Sequence, residues 1–224
     1  MAGQGKYAER LHDAALSLNV HLDERSTRVL LSYIDQLQRW NKTYNLTALR
    51  DPEQMLVQHV FDSIAALSPL AEQLYKNTVS DAQVVDVGSG AGLPGIVLAA
   101  LKPAWQVCCI DAVEKKTAFV RQMSGVLALP NLKAVHARVE TLAPLGADIV
   151  VSRAFASLAD FATLAGAHVD AKGHLVAMKG REPTDEIETL QQQTPWRVDR
   201  IQSLVVPELS AQRCLVWMSR QGNP

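Results

Sequence analysis

Val84-Val85-Asp86-Val87-Gly88-Ser89-Gly90-Ala91-Gly92-Leu93-Pro94-Gly95 decides the fold, because nowhere else does an apolar strand carry an acid near its end and run into a cluster of glycines. Val84, Val85 and Val87 are β-branched and favour extended backbone. From Gly88 to Gly92 every second residue lacks a Cβ, so the chain can turn sharply and bring bare backbone up to a ligand. Pro94 suits the first turn of a helix, where its missing N–H costs nothing, and Ile96-Val97-Leu98-Ala99-Ala100-Leu101 continues as a buried helix. The glycines fit two spacings. Gly90-x-Gly92-x-x-Gly95 matches the fingerprint that sets a dinucleotide pyrophosphate on a helix N-terminus. Asp86-x-Gly88-x-Gly90-x-Gly92 instead puts a carboxylate two residues ahead of the first glycine, where it repels a pyrophosphate and attracts a cation.

Downstream of this stretch, strands and helices alternate. Strands are predicted near 84–88, 106–111, 133–137, 147–152 and 173–178, with helices near 94–102, 114–128, 157–169 and 183–193. Such alternation argues for a parallel sheet covered on both faces. Two further strand-like runs, near 197–205 and 213–219, are separated by a short turn at Pro207 and read as an antiparallel hairpin. The predicted fold is therefore α/β, a mostly parallel Rossmann-like sheet closed by a C-terminal hairpin and covered by helices. That plan resembles the class I S-adenosylmethionine (SAM)-dependent methyltransferases rather than the dinucleotide dehydrogenases. In the resemblance, the acid ahead of the first glycine faces the cationic methionine end of SAM. Asp111, after the apolar Val107-Cys108-Cys109-Ile110, falls where either kind of fold presents an acid to ribose hydroxyls.

The chain up to about Leu74 reads as a small helical cap, and 75–224 as the core it packs on. Asp23 or Ser26 can cap a helix with an apolar face of Leu30, Tyr33, Ile34 and Leu37 that ends near Trp40. Asn41-Lys42-Thr43-Tyr44-Asn45-Leu46-Thr47 is predicted to be a polar loop. Asp51-Pro52-Glu53 starts a second helix, running to about Leu67, on which His59 and Asp62 stand three residues apart and can pair.

The 224 residues are long enough for one large core, and the net charge of −1 argues against a uniformly basic nucleic-acid coat. There is no apolar run long enough to span a bilayer and no apolar segment at Met1–Tyr7, so a cytoplasmic protein without membrane contact is expected. Cys108, Cys109 and Cys214 lie in strand-like segments without CxxC spacing and read as reduced core residues; no metal site is expected.

Several stretches together resemble the bacterial 16S ribosomal RNA guanine-N7 methyltransferases, the glucose-inhibited division protein B family. They are Trp40 to Thr47 (WNKTYNLT), His59-x-x-Asp62-Ser63, the stretch from Asp86 to Ile96, Arg138-Val139-Glu140, Ser152-Arg153-Ala154-Phe155-Ala156 and Lys179-Gly180. The glycine stretch is shared by many methyltransferases, whereas NKTYNLT with SRAFA is far more specific. Gln58 departs from the pattern, in which an arginine often precedes the helix histidine. The resemblance implies that Gly88, Gly90 and Leu93 line the SAM pocket, Asp111 holds the ribose, Val139 and Glu140 flank the adenine, and Arg153 faces both SAM and substrate. Its implied partner is 16S ribosomal RNA or the small ribosomal subunit, with the target base in a decoding-region loop. The enzyme is expected to act as a monomer.

The sulfonium makes the methyl group of SAM electrophilic, so alignment with a nucleophile is the main task. Guanine N7 has a free lone pair and loses no proton on methylation, so no general base is expected. Reading guanine takes hydrogen-bond donors, and Arg153 and Lys179 are the candidates. His59, with Asp62 and Asn45, is expected to orient the helical wall of the substrate site. Lys42, Tyr44, Arg50, Lys115, Lys116, Arg121, Lys179 and Arg181 could form a basic rim for RNA.

Overall fold

A computed structural model describes residues 2–77, 79–153 and 155–222, with side chains from residue 5 onward. The strands are β1 (Gln83–Val87), β2 (Gln106–Asp111), β3 (Leu132–His136), β4 (Ala147–Ser152), β5 (Val169–Lys179), β6 (Trp196–Leu204) and β7 (Arg213–Arg220). They form one sheet in the order β3-β2-β1-β4-β5-β7-β6, and the first five are mutually parallel. β7 runs antiparallel to β5, with Lys179 opposite Cys214, and pairs with β6 as the predicted hairpin. The order reverses between β1 and β4. Open α/β sheets bind ligands beyond the carboxyl ends of the strands at that point.

The helices are α1 (Ala2–Ser17), α2 (Glu24–Tyr44), α3 (Pro52–Met55), α4 (Asp62–Lys76), α5 (Gly95–Leu101), α6 (Glu114–Val126), α7 (Leu158–Ala165) and α8 (Thr184–Gln193). One face of the sheet packs with α1, α2, α4, α5 and α6 through residues such as Leu11, Tyr33, Ile64, Leu98 and Phe119. The other packs with α7 and α8 through Phe161, Ala165 and Leu190. The N-terminal helices and the sheet thus share one apolar cluster, which runs from Leu11 to Trp217.

Three local expectations are corrected. Asn41 to Tyr44 are not loop but the last turn of α2, which ends at Asn45 with a left-handed φ of 49°. The turn holds because Trp40 packs at a tilt against Tyr44, with 4.9 Å between ring centres, and meets Phe119 edge-on at 5.4 Å. The second helix does not stop at Leu67. It continues through a π-helical turn, Leu56–Phe61, into α4 and on to Lys76, with Pro69 inside. An internal proline costs a helix about 3 kcal/mol. Burial of Leu70 and Leu74 beyond it, each worth roughly 1.5–3 kcal/mol, offsets that cost. β5 begins at Val169, because α7 closes early in a 3-10 turn, Gly166–His168.

Candidate active site

Burial of the valines on both faces of β1 fixes the strand, and the glycine loop leaves from its end. Gly88 and Ser89 N–H both donate to Ile110 O, at 2.8 and 3.2 Å, which ties the loop to β2. Gly90 has φ of +59°, and a Cβ built there meets nothing nearer than Gly88 O at 4.0 Å, so its bare face opens into space. Gly95 is glycine for the opposite reason: a Cβ there would run into Cys109 Sγ and lie 2.9 Å from Asp86 Oδ2.

Two cavities meet at Gly88. The smaller, about 230 Å³, is lined by Val87, Ile110, Ala137, Val139, Phe155 and Leu164, with Asp111 and Glu140 at its edge. The larger, about 550 Å³, is bounded by the glycine loop from Gly88 to Ala91 with Leu93, by Leu46–Leu49, by Gln58, His59 and Asp62, and by Lys116, Arg153, Lys179 and Arg213. Gly88, Gly90, Leu93, Asp111, Val139, Glu140 and Arg153 each border one of these two spaces. Asp111, 6 % exposed, accepts from Gly90 N–H and Val113 N–H at 2.9 Å each, and Lys116 Nζ lies 3.6 Å away. The buried Val139 accepts from His168 Nε2 at 2.9 Å. Glu140 is exposed and paired with Arg138 at 2.9 Å; its own backbone N–H, and then Arg138, hold the carboxyl below its usual range.

Asp86 does not stand where the SAM resemblance put it. It is fully buried behind the loop and lines neither cavity. Its Oδ2 accepts from Gly95 N–H at 2.8 Å, and Oδ1 has no partner among the described residues. Burial pushes its pKa up to about 7, against the Gly95 hydrogen bond and the Arg153 charge.

The wall facing the loop is built by the π-helical turn, which presents Gln58 and His59 to the same cavity as Asp62. The expected His59–Asp62 pair is not formed. His59 Nε2 instead meets Thr47 Oγ1 at 2.9 Å. Burial, and then the nearby Arg153 charge, hold the His59 pKa down to about 4, so the ring is neutral at pH 7. Asn41 orders the adjoining loop: its amide donates to Leu49 O at 2.8 Å and its Oδ1 accepts from Thr47 N–H at 2.9 Å. Asn45 is apart from this wall and accepts from Arg50.

Asp62, 4 % exposed, bridges two guanidinium groups. Its Oδ2 accepts from Arg153 NH1 at 3.0 Å and its Oδ1 from Arg213 Nε at 3.0 Å. Arg153 follows β4, as expected. Arg213 was not picked out from the sequence because it begins a strand rather than ending one. Since β7 is antiparallel, its first residue lies at the same sheet edge as the carboxyl ends of the parallel strands. A hairpin after a parallel sheet was the available signal.

Lys179 borders the cavity, but its ammonium is spent, donating to both Glu186 carboxylate oxygens at 3.0 and 2.9 Å and to Ala156 O at 3.4 Å. Of the expected basic rim, Lys116 and Lys179 border the large cavity, and Lys42, Lys115, Arg121 and Arg181 are exposed outside it. Among the described residues, no group of three or more His, Cys, Asp or Glu could hold a metal ion, and no helix is long and apolar enough to cross a membrane.

Solved structures similar to this chain show the same fold. A SAM-dependent methyltransferase from Aquifex aeolicus matches with a TM-score of 0.53 at 17% identity, over 84% of this chain and 97% of its own. A ribosomal protein L11 methylase from Lactobacillus delbrueckii matches with a TM-score of 0.52 at 16% identity, over 70% and 79%. Sequence relatives are much nearer. The ribosomal RNA small subunit methyltransferase G of Bordetella petrii is 62% identical over 96% of this chain and 84% of its own. The protein of the same name from Methylibium petroleiphilum is 44% identical over 96% and 95%. The profile of the GidB family, rRNA small subunit methyltransferase G, matches residues 26–216. With the glycine bend, the paired cavities and the sheet order all in place, the chain belongs to the GidB family of rRNA small subunit methyltransferases.

Proposed function

We propose that this protein transfers a methyl group from SAM to N7 of a guanine in a decoding-region loop of 16S ribosomal RNA. The observation that carries this reading is the meeting of two unlike cavities at Gly88: an apolar slot edged by Asp111 and Glu140, and a wider chamber whose wall carries two arginines on Asp62. The slot suits a nucleoside, with apolar side chains against a flat base and carboxylates for ribose hydroxyls. Gly88, Gly90 and Leu93 line the methionine end, Asp111 takes the ribose, and Val139 and Glu140 flank the adenine. SAM, when bound, supplies an electrophilic methyl group.

The chain's own residues hold and orient the acceptor. Guanine N7 attacks with its lone pair and releases no proton, so alignment is the main requirement and a strong base is not. His59 fits that chemistry as a positioning residue: uncharged, it fixes Thr47 and with it the loop that walls the chamber. Arg153 stands between the glycine loop and Asp62 and serves both ligands. Lys179, committed to Glu186, acts by holding α8 against the sheet edge rather than by reading the base. The helices before about residue 74 form the cap against which the RNA loop lies. We read the enzyme as a monomer that meets its RNA substrate in the cytoplasm.

The test is reaction of the purified protein and SAM with 16S rRNA or small subunits from cells lacking the gene, followed by mass mapping and by chain scission selective for N7-methylguanosine. One methylated guanine in a loop, absent with RNA already modified, is the expected result. Methyl transfer to protein or to another base position contradicts the proposal.

A further inference from the structure

Four cations border the large cavity: Lys116, Arg153, Lys179 and Arg213. Lys116 leans toward Asp111, and the three donors of Lys179 are taken by Glu186 and Ala156. Arg153 spends NH1 on Asp62 and Gln58 O. Arg213 spends Nε on Asp62 at 3.0 Å and NH1 on Gln212 O at 2.8 Å, and among the described residues its NH2 has no partner. In the order β1-β4-β5-β7 it starts the strand three spacings from the glycine loop, about 14 Å away at the usual strand separation. Of the four, it therefore stands on the strand farthest from the slot assigned to adenosine. Asp62 fixes its plane, so it offers a donor of set direction rather than a loose charge.

We propose that Arg213 is a specificity-determining residue that donates from its guanidinium to O6 of the target guanine; this rests on the reading of guanine N7 as the methyl acceptor. N7 itself cannot be the atom held, because a donor there would occupy the lone pair that forms the N–CH3 bond. O6 is the neighbouring acceptor on the same edge, and at that place adenine carries an amino donor instead. A guanidinium on O6 thus leaves N7 free and rejects adenine. Methyl transfer makes the N7–C bond as the S–C bond breaks, and no proton moves, so Arg213 stays charged throughout.

The test uses small subunits reconstituted with 16S rRNA that carries guanosine or 2-aminopurine riboside at the methylated position. The analogue keeps N7 and the 2-amino group and lacks O6. Wild-type protein, Arg213→Ala and Arg213→Lys are compared in single turnover, with SAM affinity and thermal unfolding measured beside them. With guanosine, Arg213→Ala is expected to lose about 5- to 150-fold in rate over substrate affinity, and Arg213→Lys less. With 2-aminopurine the alanine variant should lose nothing further, because the partner atom is already gone. SAM affinity should stay within about twofold.

Equal losses on both substrates would mean a phosphate contact, and lost SAM affinity or folding in both variants would mean a purely structural tie; either overturns the proposal. Should the wild-type protein fail to methylate guanosine subunits at all, the underlying reading falls and takes this one with it. That outcome is told apart because it does not involve Arg213.

Discussion

Asp86 shows how far one side chain's surroundings can depart from its sequence context. A carboxylate fully buried with one oxygen unpartnered is held mostly protonated up to about pH 7, whereas in the unfolded chain it ionises near 4. Between those values the folded state binds the extra proton, so wild-type stability falls as pH rises from about 4 to about 7 and then levels off. Asp86→Asn keeps an acceptor for Gly95 N–H and carries no such penalty. Its unfolding free energy relative to wild type should therefore improve across that interval, measured by urea titration at several pH values; a difference independent of pH contradicts the assignment. His59 gives a second prediction. With its pKa near 4, it is neutral throughout the neutral range, so single-turnover methylation should show no step near pH 6.5 that disappears in His59→Ala. His59→Ala itself should impair RNA methylation through loss of the Thr47 contact while leaving SAM affinity intact; equal loss of SAM binding contradicts it. The places of Asp111, Val139, Glu140 and Arg153 beside the cavities were legible because each ends or follows a parallel strand. The partner of Asp62 was not. Spacing along a helix shows which side chains are neighbours, but two guanidinium groups arriving from β4 and β7 outcompete a desolvated imidazole for one buried carboxylate.

Elements carry the next layer. The strand–bend–helix reading of residues 84–101 held because it needed only local signals: β-branched residues, then glycines, then an apolar run. The close approach that explains Gly95 was invisible in sequence, since Cys109 comes from the neighbouring strand. Gly95→Ala should destabilise the protein by about 1–3 kcal/mol through this overpacking. Adding Cys109→Ala should recover part of the loss, read in a thermal or urea double-mutant cycle. Strict additivity of the two changes would argue against the clash. The boundaries near Trp40 and Leu67 were misplaced for a related reason. Polar composition suggested a loop over 41–47, and the second helix was expected to run only to about Leu67, whereas the edge contact of Trp40 with Phe119 and burial of Leu70 and Leu74 extend both helices.

For the whole molecule, the decisive feature is that helices from the first third of the chain pack into the same apolar cluster as the sheet. The chamber wall carrying His59 and Asp62 is thereby held at a fixed distance from the glycine bend, and the two cavities keep their junction at Gly88. Such a junction suits a ligand with an apolar ring at one end and a charged group at the other. Calorimetric titration of the purified protein with SAM and, separately, with nicotinamide dinucleotide reads this directly. SAM should bind with one site per chain, Asp111→Ala should weaken it by about tenfold or more through the lost charge-assisted ribose contacts, and the dinucleotide should give no heat. Tight dinucleotide binding with indifference to SAM, or SAM binding untouched by Asp111→Ala, would contradict the assignment of the bend and the slot beside it.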